Sequence, residues 1–356
     1  MVKISVDSLA GYILEELLAY LIRNTGYRLL TDANQDPREL KNNSNGLNVI
    51  GRGALHQVDV LGELLWVPAF TFPLRLMLEA KCRKSKTGIG VVRGMMATLI
   101  DVNQKNFPSL DSAKAAPPPK YTYVGAIFSA SGFSRHASKF ALAHGISLVD
   151  LRTPGLSGLV SAARASAKAI LVPTDAKLFT ASSAQLLRFM RLTLRSQLGT
   201  LPPAPANQHL GVGLSLDDAL AEAVAAAFGT DELFVGMAAG PYILVLKADE
   251  PARFLEYAES RPSHNVSIHW SRRDDSGRTW YVVPSDEPDA YRLWFKLPEQ
   301  LVMWIFKSED VKRKALLAKE QLFSTISIYR RSEIRDTLVR LRYVPKEVLN
   351  RGPTPT

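Results

Sequence analysis

The chain has 356 residues, 46% of them hydrophobic, with 44 Lys and Arg against 34 Asp and Glu, a formal net charge of +10. This length exceeds what one hydrophobic core usually supports, so two domains are expected, and the positive balance favours a polyanionic partner such as nucleic acid or an anionic membrane surface. Cys82 is the only cysteine, which excludes an intrachain disulfide and a multi-cysteine zinc site and suits a reducing cytoplasm.

The opening stretch MVKISVDSLAGYILEELL carries acids inside its apolar run, the mark of an amphipathic helix and not of a secretory signal. Ser8 precedes Ile13, Leu14, Leu17, Leu18, Leu21 and Ile22 at helical spacing, and Gly26 is the expected stop. A polar, Asn-rich loop over 32–46 leads to a strand expected from Leu55 to Leu61, and Leu74 to Cys82 forms another. Gly88 and Gly90 introduce a helix over 91–102, and residues 105–119 read as a loop. A buried strand over 121–129, a helix over 134–144 and a strand over 146–151 follow. The pattern predicts an α/β domain around a mixed central sheet.

Helical segments over 156–168 and 182–198 lead to GTLPPAPANQHLGVG (199–213), a linker by composition. Beyond it come the helix DDALAEAVAAAFG, strands near 233–237, 241–247, 265–270 and 279–283, and a helix near 250–259. A tail from Leu297 follows, within which 307–321 and 329–343 are expected to be basic helices. The boundaries are therefore a first domain over 1–155, a helical connector and linker over 156–213, and an α+β domain over 214–356. No run approaches the roughly 18 apolar residues of a membrane span, so a soluble, cytoplasmic protein without a membrane partner is expected.

The stretch LRLMLEAKCRK, Leu74 to Lys84, holds Glu79 and Lys81 in an otherwise apolar run, on one face by strand alternation. A buried charge needs a partner charge, a metal or a substrate phosphate. Asp59 stands twenty residues upstream in HQVDVLGEL, and the turn-prone ELLWVPAFTFP between them can bring both carboxylates to one point. Two carboxylates with waters and a substrate phosphate form a hard oxygen site suited to Mg²⁺. Such an ion polarises a phosphodiester, while the Lys81 ammonium orients the attacking water or offsets developing charge.

Gln57 shares the face of Asp59, whereas His56 and Cys82 alternate to the opposite face, where packing or, for His56, a DNA contact is expected. Arg83, Lys84 and Lys86, with Arg93 on the following helix, are candidate phosphate contacts; the alternative is a solvated charge run. The FSASGFS turn (128–134) offers either backbone amides to a phosphate or a plain helix cap. The sequence contains no P-loop, no GxSxG elbow and no GxGxxG after a strand.

Asp59 followed by Glu79-Ala80-Lys81 resembles the D…(D/E)xK signature of the PD-(D/E)xK nuclease superfamily, and residues about 8–151 are more closely similar to its Mrr-type restriction endonuclease-like branch. Four segments in order carry the likeness. GYILEELLAYLIRNTGY (11–27) resembles the opening helix and GRGALHQVDVLGEL (51–64) the metal-aspartate strand. LEAKCRKSKTGIGVVRGMMATLIDV (78–102) resembles the ExK strand with its helix, and YVGAIFSASGFSRHASKFALAHGISLVDL (123–151) the late strand–helix–strand unit. Gln57-Val58 stand where the family commonly has a proline before the aspartate.

The resemblance implies a restriction-endonuclease-like mixed central sheet flanked by helices and a Mg²⁺-dependent endodeoxyribonuclease, with Mn²⁺ as a substitute ion. It implies Asp59, Glu79 and the Ala80 carbonyl as metal ligands and Lys81 as the catalytic lysine; Gln57, on the face of Asp59, either touches the metal water or is a plain strand residue. Glu15 completes the site from the first helix, with Glu16 as its competitor. One of the two is expected to face the sheet and the other solvent, and the eleven-residue spacing to Gly26-Tyr27 favours Glu15.

The second domain resembles no named family. Its aromatic residues, among them Trp270, Trp280, Tyr281, Tyr291, Trp294 and Trp304, are expected mostly in its core. A hairpin over 267–283 carries Arg272, Arg273 and Arg278 around its tip as candidate phosphate or base contacts. This half is expected to recognise the target or to sense a trigger or partner protein. DNA is the expected partner, a homodimer would serve double-strand cleavage, and defence against foreign DNA is the expected role. The rivals are an RNA or structure-specific nuclease with the same residues, and a nucleic-acid-binding regulatory protein on a dormant nuclease fold.

Overall fold

The computed structural model describes residues 4–44, 46–66, 71–105, 121–153, 156–171, 182–199, 215–228, 233–238, 243–271, 279–297, 299–306, 309–330 and 337–345. The chain divides into two compact units, Met1–Phe140 with Asp150–Gly229, and Ala141–Val149 with Thr230–Thr356. It is a mixed α/β protein with several sheets. Among the described residues no helix is long and apolar enough to cross a membrane.

The chain opens with α1 (Val6–Arg23), β1 (Tyr27–Leu30), a 3₁₀ turn (Ala33–Gln35), β2 (Leu40–Asn43), β3 (Gly46–Ile50), β4 (Leu55–Gln57), β5 (Val60–Leu64) and β6 (Leu74–Lys81). There follow α2 (Ile89–Gln104), β7 (Thr122–Ser129), α3 (Arg135–Ala143), β8 (Ser147–Asp150), α4 (Ser157–Leu171), α5 (Ser183–Gln197) and α6 (Ser215–Phe228). The leucines and isoleucines of α1 recur at helical spacing and are buried, and Ser5, not Ser8, caps the helix by accepting the Ser8 amide at 3.1 Å. Gly26, at φ 93°, takes the left-handed conformation that lets the chain turn from α1 into β1.

The central sheet has the order β1-β5-β6-β7-β8. It is mixed: β5 runs antiparallel to β1 and β6, while β6 and β7 run parallel. The single strand expected over 55–61 is two strands. β4 pairs with β3 in a separate three-stranded sheet β2-β3-β4, and β5 pairs in the central sheet. The break falls at Val58-Asp59, where the buried Val58 amide donates to the Leu47 carbonyl at 3.2 Å. The loop expected over 32–46 thus contains β2, whose Asn-rich sequence has none of the alternation that marks a half-buried strand.

Helices α4, α5 and α6 belong to the first unit. The Phe228 ring of α6 meets the Tyr20 ring of α1 edge-on at 4.7 Å, and the Arg23 guanidinium donates to the Leu198 carbonyl at 3.1 Å. The division therefore follows Gly229, whereas sequence composition places it at the Pro-rich stretch.

At one end of β6 the Arg75 side chain, 1% exposed, donates to Glu63 at 2.8 Å, to Asp36 at 2.6 Å and to the Tyr123 hydroxyl at 3.2 Å. Its guanidinium also lies 3.4 Å from the Tyr121 ring centroid. This network ties the loop after β1 to three strands of the sheet. Replacing Arg75 with leucine takes the guanidinium from Asp36 and one of two from Glu63, which keeps Arg28 at 2.7 Å, and breaking a buried pair in this way costs roughly 3–5 kcal/mol. Denaturant unfolding should show that loss, and Arg75→Lys should recover only part of it, because an ammonium cannot reproduce the forked contacts.

The second unit holds β9 (Leu233–Ala238), β10 (Ile243–Ala248), α7 (Pro251–Ser260), β11 (Ser263–Ser271), β12 (Thr279–Pro284), β13 (Leu293–Phe295), α8 (Glu299–Phe306), α9 (Val311–Gln321), β14 (Thr325–Arg330) and β15 (Thr337–Tyr343). The strands close a barrel in the order β10-β13-β12-β11-β15-β14-β9. The described residues of the segment 329–343, expected to be helical, are instead strand: β14 ends at Arg330 and β15 spans 337–343. In β15 Val339 and Leu341 are buried while Arg340 and Arg342 are exposed, the alternation of a barrel strand carrying charge on its outer face. Trp280, Tyr291 and Phe295 lie in the barrel core as expected, whereas Trp270 and Trp304 are 41% and 40% exposed. The hairpin of β11 and β12 is present, and Arg272, Arg273 and Arg278 at its tip lie outside the described residues.

Candidate active site

Strand β6 runs through the middle of the central sheet, buried from Arg75 to Leu78 and opening at Glu79, Ala80 and Lys81 where it reaches the sheet's edge. The Lys81 Nζ stands 2.5 Å from Glu79 Oε1, so the two side chains share a face, as alternation requires. Asp59 lies in the break between β4 and β5, and its Oδ2 accepts the Ala80 amide at 2.8 Å. The acid is thereby brought to the middle of the Glu79-Ala80-Lys81 triplet, across twenty residues of chain. Burial raises the Asp59 carboxyl above its ordinary range; the Ala80 hydrogen bond and the charge of Lys81 act against this, and the charge of Glu79 adds to it.

Helix α1 supplies Glu15 and Glu16 to a pocket of about 230 Å³ that Gln57 and Asp59 also line. Its far wall is polar, with Asp32, Asn42 and Asn43 from the segment around β2. A pocket of this size has room for several waters or a phosphate group. Burial is the main force that pushes the Glu15 carboxyl up to about 8, and the neighbouring charge of Asp59 is the next. Asp59 thus raises the proton affinity of Glu15 by its charge, as Glu79 raises that of Asp59.

Besides Lys81, positive charge reaches the pocket from α5. The Arg191 Nη2 donates to Glu15 Oε2 at 3.0 Å, and Arg195 grips Glu16 through both carboxylate oxygens at 2.7 and 2.8 Å. The expectation that one of the two glutamates faces solvent is therefore corrected. Glu16 is 4% exposed and the Glu15 side chain 14%, and each is held by an arginine. Glu15 is the one that feels Asp59. Sequence reasoning missed Arg191 and Arg195. The signal was present in RFMRLTLRSQ, which sets the two arginines four apart beside a buried stripe of Leu186, Met190 and Leu194.

Arg83, Lys84 and Lys86 follow Lys81 directly and are all exposed, as is Arg93 on α2. His56 faces away from Asp59: its Nε2 meets Asp101 Oδ2 at 2.7 Å, and that carboxylate also accepts the Gly53 and Ala54 amides, pinning a loop to α2. His56 is thus a packing residue. Cys82 is half-buried, and burial raises its thiol against the opposing influence of Arg164. In the 128–134 turn Ser134 accepts the Ala137 amide at 3.2 Å, so it caps α3. The Ser129 hydroxyl is buried against Thr87 at 2.8 Å. Among the described residues no group of three or more His, Cys, Asp or Glu side chains is arranged to hold a metal ion.

No family model and no curated protein matches the chain. A solved structure described as a protein of unknown function is similar at 18% identity and a TM-score of 0.32, over 62% of this chain and 99% of that one.

The raised Glu15 carboxyl has a measurable consequence. The folded chain keeps this proton up to about pH 8, while the unfolded chain releases it near 4.5. Its contribution to stability is fully present below the lower value and is lost as the pH climbs to the upper one. Asp59, displaced in the same direction, adds to that loss. The Glu15→Gln variant, neutral throughout, should lose less of its thermal unfolding midpoint across this window than the wild type. Parallel curves for the two proteins would mean that Glu15 ionises normally.

Proposed function

We propose that the first unit is a Mg²⁺-dependent endodeoxyribonuclease of the restriction-endonuclease-like type, cutting DNA phosphodiesters and serving cytoplasmic defence against foreign DNA. The observation that carries this is the meeting of Asp59 with Glu79-Ala80-Lys81 through the Ala80 amide. It joins the acid and the acid–lysine pair that the family signature requires.

The donor set fits the ion. Mg²⁺ is commonly held by one or two carboxylates together with waters and substrate phosphates, and Asp59, Glu79 and the Ala80 carbonyl are hard oxygen donors. Asp59 stands close enough to Glu15 to raise the glutamate's proton affinity by charge, and a divalent cation would answer that excess of negative charge. Bound there, the ion supplies Lewis-acid polarisation of the phosphodiester.

The remaining work falls to the chain's own groups. Lys81, ion-paired with Glu79 in this structure, turns its ammonium toward the phosphate as the charge on phosphorus oxygens grows. Water attacks phosphorus and gives up a proton to solvent, the bond to the leaving sugar oxygen breaks, and that oxygen takes a proton from solvent water. Gln57, in the same pocket as Asp59, orients water by hydrogen bonding. The exposed Arg83, Lys84, Lys86 and Arg93 contact the backbone phosphates of the duplex. A homodimer would present two such sites to the two strands.

Supercoiled plasmid incubated with Mg²⁺ tests the proposal. The wild type should nick or linearise it, and Asp59→Ala and Lys81→Ala should each slow cleavage by roughly a hundredfold or more. Equal rates for the three proteins would overturn the assignment. Binding without cleavage by the wild type would favour the dormant, regulatory alternative.

A further inference from the structure

The outer wall of the barrel carries a row of rings that the proposed chemistry does not use. Alternation turns Trp280, Val282 and Leu293 inward, where they are buried, and leaves Tyr281 and Trp294 facing outward and half-buried. His269, Tyr281 and Trp294 are register partners on three adjacent strands, and Lys247 of β10 continues the row beyond Trp294. The His269 and Tyr281 rings stack at 5.2 Å with planes 20° apart, and Tyr281 and Trp294 lie 4.9 Å apart. The Arg292 guanidinium covers both of the latter rings, at 4.9 Å from Tyr281 and 5.4 Å from Trp294. Its buried Nε has no hydrogen-bond partner among the described residues. The Trp294 Nε1–H donates to Asp249 at 2.6 Å, which fixes the plane of the indole.

Cross-strand ring pairs stabilise sheets by themselves. A guanidinium within 5.4 Å of both ring centroids, which are themselves tilted 51° to each other, adds positive charge to this row, and Lys247 flanks it with a second cation. A row of half-buried rings bordered by cations suits bases free of a duplex, joined by phosphates. We propose that this face binds a segment of single-stranded nucleic acid, with bases packed against the ring row and Arg292 and with phosphates drawn to Arg292 and Lys247. The inference does not depend on the nuclease proposal, because it concerns binding and is read without a metal ion.

The full chain in EDTA, titrated against labelled oligothymidylate, oligouridylate and a DNA duplex of equal length, tests it by fluorescence anisotropy. A single strand should bind in preference to the duplex, and the two single-strand arms tell DNA from RNA. Tyr281→Ala and Trp294→Ala should each weaken single-strand binding about tenfold or more, with duplex binding unchanged, whereas Tyr281→Phe and Trp294→Phe should bind nearly as the wild type does. Stacking also quenches indole emission, so the oligonucleotide should quench wild-type tryptophan fluorescence, and Trp294→Phe should lose part of that quenching. This second readout decides the matter if either alanine variant unfolds. No preference for the single strand, unchanged affinity in a folded alanine variant, or quenching unchanged by Trp294→Phe would each overturn the proposal. So would binding of a proline-rich peptide in place of any oligonucleotide.

Discussion

The hydrogen bond from the Ala80 amide to Asp59, at 2.8 Å, holds together the two parts of the first unit that matter for chemistry. Between β4 and β5 the chain leaves the small sheet and enters the central one, and a polar residue at such a break would ordinarily turn to water. Asp59 is instead largely desolvated, and the edge of β6 supplies the donor that a buried carboxylate needs. The same contact sets the acid between Glu79 and Lys81, so the geometry of the candidate site follows from satisfying one buried acceptor.

Around that point the balance of charge is uneven. Glu15, Glu16 and Asp59 share one pocket with Arg191 and Arg195. Arg195 is committed to Glu16 with both nitrogens of its fork, a geometry in which an arginine is hard to replace. Arg191 lowers the proton affinity of both Glu15 and Asp59 without cancelling the effect of burial. The result is a pair of carboxyls that hold their protons more tightly than in water. Helix α5 therefore belongs to the site electrostatically as well as structurally, although its sequence lies far from the acid–lysine triplet.

The second unit solves a different problem. A closed barrel leaves no sheet edge open, and its inner positions are filled by Trp280, Val282, Leu293 and Leu341. Closure frees the outer positions from packing duty, so arginines and partly exposed rings can sit on them at little cost to the core. Arg340 and Arg342, two of the basic residues that suggest a helix over 329–343, occupy such outer positions on β15.

Much of the candidate site was legible in the chain itself. The acid–lysine spacing at 79 and 81 fixes a shared face because strand alternation is local, and the apolar period of α1 fixes which side of that helix is buried. The strand–helix–strand order after Glu79 was legible for the same reason. What the chain could not show is where distant segments meet. The break at Val58-Asp59, the Asn-rich strand β2, the joining of α6 to the first unit and the arrival of Arg191 and Arg195 beside Glu15 and Glu16 all depend on long-range pairing. The choice between Glu15 and Glu16 rested on a spacing, and only the tertiary structure showed that both are buried and that Glu15 is the one beside Asp59. The physical reason is that periodicity reports the direction of a side chain relative to its own backbone, whereas the partner that compensates a buried charge is chosen by packing across the whole unit.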